Sequence, residues 1–205
     1  MAIKAIVFDF DGTLVDSNKI KHQVFYDLFA DIKGADKIVT TVLKEYPEEH
    51  RSVVIKEIFK KLGKSYELLF EKEYEKFVQK YGELALTRVA ETKEMPGAGH
   101  VLKTLAAYFP LYLSSATPQD ALVALIKKRK WDVFFRAIYG YPRKKIEVLR
   151  EILSLSRINP WELLVVGDGQ SDKNSAEALK CKLFLIGKDG NLNDLLQNHE
   201  LLGKR

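Results

Sequence analysis

Cysteine is nearly absent: Cys181 is the one thiol in 205 residues, which excludes an internal disulfide framework and fits a reducing compartment. It abuts an apolar run, so a packed, unreactive thiol is expected. Long hydrophobic stretches are missing too, and the longest runs are strand-length, too short to span a bilayer. A signal-peptide pattern is lacking in MAIKAIVF, which runs straight into an apolar strand, so a cytoplasmic protein is expected. Internal repeats and low-complexity segments are also absent. The net charge of +5 is weak and spread along the chain, apart from the clusters at 127–130 and 143–145. The first cluster falls at the end of an expected helix, where cations complement the helix dipole. Neither nucleic acid nor membrane is therefore an expected partner.

What is present falls into two textures. From Met95 onward, short apolar runs alternate with helical patterns. Leu111–Ser114, Ala137–Tyr139, Leu163–Val166 and Leu183–Ile186 read as strands, and Ile3–Phe8 belongs with them. Val101–Ala107, Ala121–Lys128, Ile146–Leu153, Ser175–Leu179 and Leu192–Leu196 read as helices, with Thr117 expected to cap the helix that Pro118 opens. Continuous rather than alternating hydrophobicity implies strands buried on both faces, as in a parallel sheet covered by helices. Between Ser17 and Thr92 no strand is expected. There Val24, Phe25, Leu28 and Phe29, then Ile55, Ile58 and Phe59, then Tyr74, Phe77 and Tyr81, recur at helical spacing. The expected fold class is α/β, a Rossmann-like parallel sheet core of residues 1–16 and 93–205 with an inserted all-helical domain, 17–92.

Ligands of such sheets bind beyond the carboxyl ends of the strands. The first strand delivers Asp9 and Asp11, and the next delivers Ser114, Ser115, Ala116 and Thr117. Another delivers Gly167, Asp168, Gly169 and, a little further on, Asp172. Tyr141-Pro142-Arg143-Lys144-Lys145 follows the remaining one. Carboxylates gathered at one edge call for a divalent cation, and hard oxygen ligands select magnesium. Lysine and hydroxyl groups beside it suit a phosphoryl group, whose transfer depends on positioning and charge neutralisation. A calcium loop is excluded at Asp9-Phe10-Asp11-Gly12, because the glycine comes too early and no terminal glutamate is in register.

DFDGTLVDS, LSSAT, YPRKK and GDGQSD resemble the four signature motifs of the haloacid dehalogenase superfamily. The likeness is to its phosphatase branch with a helical cap after the first motif, as in phosphoglycolate-phosphatase-like and β-phosphoglucomutase-like proteins. The resemblance implies that Asp9 is the nucleophile, giving an aspartyl-phosphate, and that Asp11 is the general acid and then the base. It implies magnesium held by Asp9, Asp168 and Asp172, with either the Asp11 side chain or the Phe10 carbonyl completing the set. Gly12, Ser115, Ala116 and Lys145 would hold phosphate, with Lys144 as the alternative to Lys145. Ala116 departs from the family, where asparagine is common. The expected substrate is a small phosphate ester acted on by a monomer or small homo-oligomer, with hinges near Leu14–Ser17 and Thr92–Pro96. Dehalogenase relatives lack an acid at the position of Asp11, which favours phosphate esters. Two alternatives stay open: a sugar phosphomutase, whose cap histidine is matched only by His22, one residue late, and an idle binding protein on the same scaffold.

Overall fold

Residues 2–47, 49–63 and 66–203 are described by a computed structural model. The chain opens with β1 (Ala5–Phe8) and continues through α1 (Asn18–Leu28), α2 (Ala35–Glu45), α3 (Arg51–Leu62) and α4 (Glu67–Glu91). The pattern then becomes α/β: α5 (Ala98–Ala106), β2 (Leu111–Pro118), α6 (Gln119–Lys128) and β3 (Phe135–Tyr141). It closes with α7 (Lys145–Ser156), β4 (Leu163–Gly167), α8 (Gln170–Leu179), β5 (Lys182–Leu185), α9 (Leu192–Gln197) and α10 (His199–Leu202). Two compact units result, one of Met1–Asp16 with Thr92–Arg205, the other of Ser17–Glu91. Among the described residues, no helix is long and apolar enough to cross a membrane.

The larger unit is a parallel sheet in the order β3-β2-β1-β4-β5. Every residue of β1 is buried, as its uninterrupted apolar sequence requires. Ala5, Val7, Tyr112, Leu163 and Val165 pack with Val148, Leu149 and Ile152 of α7 and Ala176 of α8. Helix α6 packs against β2 and β3. The chain adds strands outward from β1 to β3 and then returns to place β4 on the other side of β1. Phe8 is consequently paired with both Leu113 and Val166, and the carboxyl ends of three strands meet at this switch point. The Cys181 thiol is half-buried, and burial pushes its pKa up to about 11.

In the helical unit Phe25, Phe29, Val39, Ile55, Ile58, Phe59 and Tyr81 form the core, with Phe70, Tyr74 and Phe77 packed against it. Phe29 lies edge-on to Phe59, and Tyr74 and Tyr81 send their hydroxyls to the carbonyls of Ser52 and Lys21. These aromatics hold the unit together.

Among the boundaries that differ from the sequence reading, three at the strand ends share one reason. Strand β2 runs on to Pro118, beyond the expected end at Ser114, and α8 starts at Gln170 rather than Ser175. Pro118 takes the N-cap position of α6, so Thr117 lies within the strand and does not cap the helix. Each extension is polar, and apolar periodicity cannot report it. The outgoing and returning crossings lie side by side: Met95 N–H donates to Leu14 O at 2.9 Å, and Asp16 N–H to Lys93 O at 3.4 Å.

Candidate active site

The turn after β1 is set by Gly12. Its φ of +76° is a left-handed conformation that glycine adopts without strain. The turn closes through Gly12 N–H to Val15 O, and through Leu14 and Val15 N–H to Phe10 O at 2.9 and 3.1 Å. The Phe10 carbonyl, expected as one of two alternatives to complete a metal site, accepts from both of these amides.

Asp9, Asp168 and Asp172 converge, each offering a carboxylate oxygen within 4.8 Å of the others. Asp9 and Asp172 are buried. The Lys145 ammonium sits between them, 3.0 Å from Asp9 Oδ1 and 2.7 Å from Asp172 Oδ1. Burial alone would lower the lysine, but the two carboxylates outweigh it and hold the ammonium above its ordinary range. Burial holds Asp9 well above the usual carboxylate range; Lys145 pulls it down, while Asp172, Asp11 and Asp168 push it further up. Asp172 is raised for the same first reason, burial, against the pull of Lys145. Thr13 Oγ1 donates to Asp168 Oδ1 at 3.1 Å. Of the two lysines the sequence left open, Lys145 meets the carboxylates, whereas Lys144 stands at the N-cap of α7 and its N–H donates to Glu147.

Three carboxylates against one ammonium leave an excess charge of about −2, which a divalent cation would neutralise. The all-oxygen donor set fits magnesium. Asp11, expected among the metal ligands as one alternative, stands outside this cluster. Its Oδ2 instead accepts from Thr117 Oγ1 at 2.7 Å and Ser115 Oγ at 3.2 Å, and Thr117 N–H donates to Ser115 Oγ at 3.0 Å. Ser115 and Thr117 are two apart on a strand and therefore share a face, while Ala116 between them is exposed. Sequence reasoning passed over Thr117 as a helix cap. Its offset of two from Ser115 was the signal that could have found it.

The approaches to the site are tightly built. A methyl group at Gly140 would lie 2.7 Å from Thr117 O and 2.6 Å from Gln119 Cα, so only glycine lets β3 pass β2 there. Glu151 pairs with Arg143 and accepts from Tyr139 Oη at 3.2 Å, and the Arg143 guanidinium lies 4.9 Å from the Tyr139 ring centroid. This brace ties down the loop leading to Lys145. At Gly167 an added methyl would fall 2.2 Å from Asp172 Cγ. Gly167→Ala is expected to push Asp172 off Lys145 and to destabilise the fold by about 1–3 kcal/mol. Urea unfolding checks it; a variant as stable as the parent would show that Asp172 can move without cost. His22, the histidine weighed for a mutase, lies exposed on α1 of the helical unit, where partial desolvation lowers its pKa.

No curated protein matches the sequence. Several solved structures share the fold. A predicted phosphoglycolate phosphatase of Haemophilus somnus is 18% identical with a TM-score of 0.75, over 95% of this chain and 97% of that one. A HAD-hydrolase of Bacillus subtilis bound to magnesium is 16% identical with a TM-score of 0.72, over 98% and 99%. A 2-haloacid dehalogenase of Pseudomonas syringae is 17% identical with a TM-score of 0.62, over 98% and 99%. At such identities the likeness is one of fold. The sequence profile described as haloacid dehalogenase-like hydrolase matches residues 6–186, so the chain belongs to the family of haloacid dehalogenase-like hydrolases.

Proposed function

We propose that the protein is a magnesium-dependent phosphatase of a small phosphorylated metabolite, working through an aspartyl-phosphate on Asp9. The observation that carries this reading is the carboxylate cluster with Lys145 paired to Asp9 and Asp172, together with an Asp11 held by hydroxyls. Asp9, Asp168 and Asp172 would hold the magnesium ion. When bound, it would screen the repulsion between the Asp9 carboxylate and an approaching phosphate.

An Asp9 oxygen attacks phosphorus in line, and the bond from phosphorus to the ester oxygen breaks. Asp11 gives its proton to the departing alkoxide. Water then attacks the acyl phosphate, Asp11 takes a proton from it, and inorganic phosphate and the Asp9 carboxylate are restored. Lys145 offsets charge on the phosphoryl oxygens, Ser115 Oγ donates to one of them, and the backbone of Gly12 and Ala116 lines the same place. The helical unit, residues 17–91, would act as the cap that selects the organic part of the ester.

The fold alone does not choose between ester hydrolysis and dehalogenation, since both kinds of relative share it. Asp11 does. A halide leaves without a proton, whereas an alcohol needs one. The predicted phosphoglycolate phosphatase named among the similar structures makes phosphoglycolate the first ester to try. Purified protein is expected to release phosphate from at least one ester of a panel of alkyl and aryl phosphates with magnesium, and to lose that activity in excess chelator. Chelator-insensitive release, or none with any ester, would overturn the proposal.

A further inference from the structure

We infer that Thr117 is a positioning residue for Asp11, fixing one carboxylate oxygen so that the other carries the proton to the leaving group. This deepens the phosphatase reading and rests on it. The Thr117 hydroxyl donates to Asp11 Oδ2 at 2.7 Å, within the range expected for a hydroxyl on a carboxylate. Ser115 donates to the same oxygen from 3.2 Å, so the two hydroxyls together direct a proton on Asp11 toward Oδ1.

The two hydroxyls are not equivalent. The phosphatase reading assigns Ser115 to a phosphoryl oxygen, and a hydroxyl donates only one hydrogen bond at a time. When Ser115 turns to the substrate, Thr117 is the hydroxyl that keeps Asp11 in place. It is suited to that task. Thr117 is buried, and its β-branched side chain has a restricted χ1. Its strand is also pinned: Pro118 is in register with Tyr141, and Thr117 O packs so closely on Gly140 that no methyl fits there. General acids act when their proton is held within reach of the leaving atom, so a loosely rotating Asp11 would be a poorer acid.

The test compares leaving groups. Thr117→Val keeps the shape and removes the hydroxyl. With magnesium present, kcat/KM is measured for p-nitrophenyl phosphate, whose phenolate departs without a proton, and for the alkyl phosphate the parent hydrolyses fastest. The alkyl value is expected to fall about tenfold or more, and the aryl value by much less. Thr117→Ser should recover most of the alkyl rate. Thr117→Ala should repeat the split, so a valine that fails to pack leaves the comparison standing. Equal losses on both esters, or no loss on the alkyl ester, would overturn the inference while leaving the phosphatase reading intact. A parent protein that hydrolyses the aryl but no alkyl phosphate would overturn the inference alone, and one that hydrolyses neither would overturn both.

Discussion

Asp9→Asn is expected to lower magnesium-dependent phosphate release by about 10⁴-fold or more, equivalent to about 5 kcal/mol of transition-state stabilisation. An amide oxygen is a poor nucleophile, and the substitution also removes one of the three converging carboxylates. The fold should not suffer. With no cation bound, burial holds the native Asp9 well above the usual carboxylate range. A raised native pKa means the group favours folding at low pH, below the ordinary carboxylate value. That contribution is lost as pH climbs through the raised native value. At neutral pH an ionised Asp9 therefore costs stability until a cation arrives. In chelator, Asp9→Asn should melt no lower than the parent, and magnesium should raise its melting temperature far less. Phosphate release at the parental rate would rule out Asp9 as the nucleophile.

Lys145→Met has the second large expected effect, on stability as well as activity. The ammonium contacts Asp9 and Asp172 at once, and removing it leaves buried carboxylates facing one another without a counter-charge. Breaking a buried ion pair from one side costs about 3–5 kcal/mol. The native lysine is raised above its ordinary value, so its contribution is complete at neutral pH and disappears only under strongly alkaline conditions. Urea unfolding of Lys145→Met in chelator should show the full loss, and magnesium should restore part of it by supplying positive charge to the same carboxylates. Parental stability in chelator would mean that the carboxylates are already protonated and do not need the lysine.

Much of this molecule was legible because apolar continuity is a strong signal. The sequence Ala5 to Phe8 has no polar residue, and only a strand covered on both faces accommodates it. The helical insertion was legible for the complementary reason, since Phe25, Phe29 and Phe59 recur at helical spacing and pack on one another. Polar continuations of structure were not legible. Ser114 to Pro118 extends β2 and Gln170 to Asn174 opens α8, yet neither stretch has an apolar pattern to follow. The site is built where that signal stops, so the role of Thr117 required the register of β2 against its neighbours. The amide partners of the Phe10 carbonyl were not legible either, because they come from residues further along the turn, which composition does not reveal.

The hydrogen bonds joining Leu14 to Met95 and Asp16 to Lys93 bear on the history of the chain as much as on its shape. Antiparallel neighbours lie about 5 Å apart, so a two-residue hairpin could bridge Asp16 and Thr92 without disturbing the sheet. The chain thus enters and leaves the inserted helices at one place. Ancestral genes could have gained, lost or exchanged such a module in one step while the sheet and the carboxylates at its strand ends kept their places.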